Sequence, residues 1–131
     1  MLTLEDYFGR MSRAEKPTPE VELNAGELLR RVNALLVECA HIPAAHDPVV
    51  NSGWRTRGYN ATVDGAAVNS RHITGEAIDI ADPDGELDEY LFDNPHILAK
   101  HELWMEHPLA TKNWAHFQSV PPRSGRRHFY P

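Results

Sequence analysis

Ser70-Arg71-His72-Ile73-Thr74-Gly75-Glu76-Ala77-Ile78-Asp79 is the stretch on which the reading of this chain turns. A glycine-containing turn follows His72, and Glu76 to Ala81 then reads as a strand. It is stopped by Asp82-Pro83-Asp84-Gly85, a cluster of turn residues. Side chains along a strand alternate between its two faces. Ala77, Asp79 and Ala81 therefore share one face, and Glu76, Ile78 and Ile80 the other. The isoleucines anchor one face in a core, and the alanines leave room above Asp79. A carboxylate among small residues on a half-buried strand needs a partner.

Outward from this strand, the first half of the chain is helical. Thr3 caps a short helix through Phe8, with Asp6 at the capping-box position. Residues 12–17 read as a polar link. Thr18-Pro19-Glu20 is a strong helix start: hydroxyl cap, proline at the first helical position, then an acid. Val21, Ala25, Leu28, Leu29, Val32, Leu35, Leu36 and Cys39 follow at three- and four-residue spacing, the apolar stripe of a long amphipathic helix. Val49 to Trp54 reads as a strand and residues 56–71 as a long loop. Glu86 to Phe92 and Pro95 to His101 read as helical. Leu103 to His107 and Trp114 to Val120 read as two more strands around a hairpin loop, and the tail from Pro121 as coil. Helices first and a small sheet afterwards define an α+β class, with N-terminal helices packed on a small antiparallel sheet. The length, 131 residues, suits a single domain.

Composition removes several function classes. Thirteen Lys and Arg against 19 Asp and Glu give a formal charge of −6, the wrong sign for a duplex-binding protein, so no nucleic-acid partner is expected. No apolar run approaches the ~20 residues of a membrane span, so no membrane partner is expected either. MLTLEDYFGRMSRAEK has early acids and no long apolar core, unlike a secretory signal. A single cysteine, Cys39, excludes an internal disulfide and a thiolate-rich zinc site. Eight histidines turn attention to His/carboxylate metal chemistry instead.

His72 and Asp79 are two candidate ligands. His116 is the third, on a strand face it shares with Trp114 and Gln118. Zinc accepts His nitrogen and Asp oxygen, and its catalytic sites keep three protein ligands and an open position. On spacing alone two readings stand: a metal site, or an Asp79–Arg salt bridge with two unrelated histidines. His41, His46, His96, His101 and His128 read as surface or structural. Trp54, Trp104 and Trp114 read as core residues, with Trp114 placed to wall a site.

Ser52-Gly53-Trp54-Arg55, then Ser70-x-His72-x-x-Gly75-x-Ala77-x-Asp79, then Trp114-x-His116, resembles the D-Ala-D-Ala metallopeptidases, which share their fold with lysostaphin-type peptidases and the hedgehog signalling domain. The resemblance spans residues 49–120, with a weaker match over the N-terminal helices. It implies a zinc peptidase acting on peptidoglycan stem peptides, as carboxypeptidase or endopeptidase. His72, Asp79 and His116 would be its zinc ligands, Arg55 would bind a substrate carboxylate or carbonyl, and Ser70 would hydrogen-bond nearby. The whole chain also looks like small phage and prophage proteins of this group. Such a protein stays in the cytoplasm of the producing cell or travels with the phage, and acts on the wall.

One position departs from the family pattern. Many members carry an acid three residues before the last zinc histidine, where this chain has Asn113. Glu106, on the preceding strand with Glu102 and Trp104 on its face by alternation, is the expected replacement as catalytic base. Trp104 is expected to exclude water from it. Glu76 points away from Asp79 and suits the role less well. His107 is a candidate transition-state donor, and Gln118 is a candidate to support His116 or touch substrate. The alternative that Asn113 raises is a catalytically inactive, zinc-stabilised module that binds peptidoglycan or a virion partner.

Overall fold

The computed structural model describes residues 1–131. Thr3 opens α1 (Leu4–Phe8) with a reciprocal cap, its hydroxyl accepting from Asp6 N while the Asp6 carboxylate accepts from Thr3 N. Tyr7 from this short helix is buried, and its hydroxyl donates to the Ala77 carbonyl at 2.9 Å. A turn of helix, α2 (Met11–Ala14), overlaps the start of the segment expected to be a polar link.

The long helix α3 (Pro19–Glu38) begins as its sequence signals require, with Thr18 Oγ1 accepting from Val21 N and proline in the first turn. Its apolar stripe buries Ala25, Leu28, Leu29, Val32, Leu35 and Leu36. Each fully buried Leu or Val of such a stripe stabilises the fold by roughly 1.5–3 kcal/mol. Cys39 continues the stripe into the core, where burial pushes its thiol pKa up to about 11. The short helix α4 (Pro43–His46) leads to β1 (Val50–Ser52), and α5 (Arg57–Asn60), capped by Thr56, occupies the start of the expected loop.

The second half supplies β2 (Ala77–Ala81), α6 (Glu86–Asp93), α7 (Pro95–Lys100), β3 (Trp104–Glu106), β4 (Trp114–Gln118) and β5 (His128–Phe129). The five strands form one sheet in the order β1-β2-β4-β3-β5, antiparallel except for the β3–β5 pair. β5 corrects the expectation of a coil from Pro121 onward. Two residues are too few to show alternation, and the pairing is made by backbone groups, Met105 N to Arg127 O and His107 N to Phe129 O.

Register separates the sheet into a core face and a working face. Ile78 opposes Phe117 and Ile80 opposes Ala115; all four are fully buried beneath the sheet in a core cluster of 22 residues that also takes in the α3 stripe. Between them, Asp79 opposes His116 and Ala77 opposes Gln118, so these residues share the other face. β3 adds Met105 to the core opposite Phe117. One step further, Glu106 lies beside His116.

Two glycines are required by the packing. Gly75 has φ +80°, and a Cβ there would also lie 2.7 Å from the Val21 carbonyl oxygen of α3. At Gly53 a Cβ would lie 1.9 Å from the Tyr7 carbonyl oxygen, which accepts from Trp54 N. Beyond β2, the Asp82 carboxylate accepts from Leu87 N and Asp88 N and caps the start of α6. Asp88 in turn accepts a 2.6 Å hydrogen bond from Thr111 in the β3–β4 loop.

Candidate metal centre

Three elements bring His72, Asp79 and His116 together. The turn after Ser70 carries His72, β2 carries Asp79, and β4 carries His116. His116 Nδ1 lies 2.8 Å from Asp79 Oδ1, and His72 Nε2 lies 3.3 Å from Asp79 Oδ2. One ligand-capable atom from each residue lies within 4.8 Å of the others, and all three residues are buried. The imidazole nitrogens pointing away from Asp79 have their own partners. His72 Nδ1 is 2.7 Å from the Gly53 carbonyl oxygen, and His116 Nε2 is 3.0 Å from Gln118 Oε1.

The sheet's first strand shapes this corner through a bulge. Val50 pairs with Ile80 and Ser52 with Asp79, so two residues of β1 advance against one of β2. Ser52 thereby sits beside Asp79, and the chain turns so that Gly53 presents its carbonyl to His72. Arg55 N donates to the His72 carbonyl at 3.1 Å, which ties the two segments together.

Arg55 reaches into the cluster from this segment. Its Nε donates to Ser52 Oγ at 3.0 Å, one terminal nitrogen to Asn60 Oδ1 at 3.3 Å, and the other lies 3.6 Å from Asp79 Oδ2. Burial alone would raise the Asp79 carboxyl, but hydrogen bonds from His116 and His72 outweigh it and hold the pKa far below the usual carboxylate range. For His116 burial disfavours the charged ring, and its hydrogen bond to Asp79 overrides that and raises the pKa.

Glu106 Oε2 lies 3.4 Å from His116 Nδ1. Burial pushes the Glu106 carboxyl upward, Asp79 adds to this, and the His116 side pulls against it. The expected shielding by Trp104 is not what encloses it. Arg127 covers the Trp104 ring at 4.4 Å, whereas Phe129 of β5 meets the His116 ring edge-on at 6.2 Å. A cavity of about 510 Å³ opens over the cluster, lined also by Asp64, Ser70, Trp114, Phe129 and Pro131. Ser70 Oγ also accepts from His72 N at 3.2 Å. A second cavity of about 610 Å³ lies beyond Arg55, between Glu15 and Thr74, and contains no histidine.

Arg55, Ser70, Glu106 and Gln118 thus line the same cavity as the three candidate ligands. His107 does not line it: its ring stacks flat on Tyr130, 4.6 Å away, and Nδ1 accepts from Leu109 N. Asn113 has φ +73°, a left-handed conformation that asparagine tolerates better than most residues, and its carbonyl accepts from Asp82 N. It serves as the turn into β4. Sequence reasoning assigned no role to the Gly53 carbonyl, Phe129 or Asn60. Gly53 stood inside a quoted motif, but a backbone oxygen leaves no residue-type signal.

Two imidazoles and a carboxylate, buried and convergent, each imidazole steadied by an outer hydrogen-bond partner and the carboxylate paired with Arg55, suit a zinc ion with an open position. With Glu106 at its edge and a cleft above, the class is that of a metal-dependent hydrolase. The chain belongs to the Peptidase M15 family, whose model matches residues 22–93, and is a metallopeptidase on that ground. The matched segment takes in Arg55, Ser70, His72 and Asp79 and ends before Glu106 and His116. No curated protein and no solved structure matches the chain.

Proposed function

We propose that the protein is a one-domain zinc peptidase that hydrolyses peptide bonds in bacterial peptidoglycan stem peptides. His72, Asp79 and His116 hold the metal, and Glu106 is the catalytic base. The observation that carries this reading is the row Asp79–His116–Glu106 across β2, β4 and β3, on one face of the sheet and under one cavity.

A bound zinc supplies Lewis acidity, which acidifies water and polarises a carbonyl. The chain's own residues do the rest. Glu106 receives a proton from the attacking water and returns it to the leaving amine. Its burial suits it to both tasks, because a raised carboxyl pKa lies closer to the working pH. Arg55 faces the cavity while braced by Ser52 and Asn60, so its guanidinium is oriented before a substrate carboxylate or carbonyl arrives. Ser70 orders the turn that carries His72 and offers its hydroxyl to the same cavity. Phe129 and Trp114 add apolar surface to the lining of the cavity. The resemblance to phage and prophage proteins supports an origin in such an element and action on the wall.

The test is a synthetic stem pentapeptide incubated with protein carrying one zinc per chain, followed by mass spectrometry. Cleavage is expected, and Glu106→Gln is expected to keep the zinc while losing about 10²–10⁴ in rate. Intact peptide after incubation with fully loaded protein would overturn the hydrolytic reading. Retention of that inactive protein on wall sacculi would favour a binding module instead.

A further inference from the structure

We infer that Gln118 is a positioning residue that commits His116 to bind metal through Nδ1, by holding Nε2 of the ring as a hydrogen-bond donor. This rests on the zinc reading above and deepens it. Gln118 is buried on the working face of β4, two residues from His116. The two ends of its amide have different tasks. The amide nitrogen donates to the Val120 carbonyl at 2.8 Å. A carbonyl only accepts, so that end must be the NH₂ group. The amide oxygen is thereby turned toward His116 Nε2, 3.0 Å away.

Both nitrogens of His116 face acceptors, Nδ1 the Asp79 carboxylate and Nε2 the Gln118 amide oxygen. A metal on the carboxylate side would leave the ring a single hydrogen, which the amide oxygen holds on Nε2. In the neutral ring the lone pair then resides on Nδ1. That atom lies 2.8 Å from Asp79 Oδ1 and 3.4 Å from Glu106 Oε2, on the side where the ligand-capable atoms converge. His72 reaches the same end in the opposite sense. The Gly53 carbonyl engages its Nδ1, which leaves Nε2 toward Asp79. The two rings therefore offer opposite nitrogens, one selected by a backbone carbonyl and the other by a side-chain amide. Without the amide oxygen, a neutral His116 can place its hydrogen on Nδ1, bonded to Asp79, and so block the coordinating position.

Long-range proton–nitrogen NMR of the zinc-loaded, histidine-labelled protein reads the ring states directly. His116 is expected to be protonated at Nε2 and coordinated at Nδ1, with His72 the reverse. A His116 ring protonated at Nδ1 overturns the inference. Zinc affinity, measured by competition with a chromophoric chelator, is the second readout. Gln118→Leu is expected to bind zinc about 10–100-fold more weakly. Gln118→Glu keeps the acceptor but loses the donor to Val120, and is expected to bind zinc as tightly as the unchanged protein. Equal weakening in both variants would mean that Gln118 only braces Val120, and would overturn the inference. The two readings fail separately: an unchanged protein that takes up no zinc overturns both, whereas a zinc-loaded protein with the other ring state overturns this one alone. The NMR result needs no variant, so a Gln118→Leu chain that fails to fold does not remove the test.

Discussion

Asp79 and His116 are joined twice, as opposite residues of β2 and β4 and through a side-chain contact of 2.8 Å. The backbone pairing fixes where both side chains project before either makes a polar contact. Asp79 is also the shared acceptor for His72 and the counter-charge of Arg55. Asp79→Ala leaves a half-buried guanidinium and two buried imidazoles without their common partner. Loss of one member of a buried ion pair costs about 3–5 kcal/mol. Urea unfolding of the metal-free variant is expected to show a drop of that order, and the zinc content to fall to background. An unchanged unfolding midpoint would mean that Asp79 contributes nothing to the fold.

Gly53→Ala is expected to disrupt both the fold and the site. Its new methyl would meet the Tyr7 carbonyl oxygen at 1.9 Å, and both partners are backbone, so neither can rotate away. Overpacking of this kind costs about 1–3 kcal/mol and sometimes more. The displaced Gly53 carbonyl would also release His72 Nδ1. Circular dichroism melts and zinc titration of the same sample read the two effects together; a variant with native values for both would refute the requirement.

Asp88 predicts a pH dependence of stability. Burial raises its pKa to about 7 from an ordinary 3.8, against the opposing pull of the Thr111 hydrogen bond, and Oδ1 has no partner. From about pH 4 to pH 7 the folded chain keeps a proton that the unfolded chain has released. Raising the pH through that window therefore lowers stability, and above it the penalty is constant. Asp88→Asn retains an acceptor for Thr111 and removes the buried charge. It is expected to stabilise the protein at pH 8, with the gain shrinking toward zero below pH 4. Denaturant midpoints of both proteins across this range give the comparison, and parallel curves would contradict it.

Chelation is expected to lower the melting temperature. A metal that binds only the folded chain adds about 2.7 kcal/mol when its free concentration is 100 times its dissociation constant. Scanning calorimetry with zinc and with excess chelator should therefore differ by several degrees. Coincident melts would argue that the His–Asp–His cluster holds no metal in solution.

The legible parts of the molecule were those with a local period or an end signal. Thr18-Pro19 and the leucine stripe foretold α3, and alternation placed Asp79 opposite to Ile78 and Glu106 away from Met105. Those two alternations, with the quoted motif, were enough to nominate the members of the central row. Short elements were not legible. α2, α4 and α5 span four residues each, and β5 two, too few to display periodicity. The wall that β5 contributes, through Phe129, was missed with it. The position of the His107 ring was not legible either, because a strand-end residue can turn either way and its stacking on Tyr130 depends on a segment whose pairing the sequence does not announce. Which nitrogen each histidine offers was equally hidden, since it depends on Gly53 and Gln118 acting from outside the cluster.

The β2–β4 pairing has a consequence for folding errors. A slip of one residue between these strands would exchange His116 for Ala115 on the working face and drive an imidazole into the apolar interior beside Ile78. Misalignment would thus forfeit core packing and metal capture in a single stroke. A one-residue misalignment therefore cannot leave a well-packed molecule that merely lacks the site.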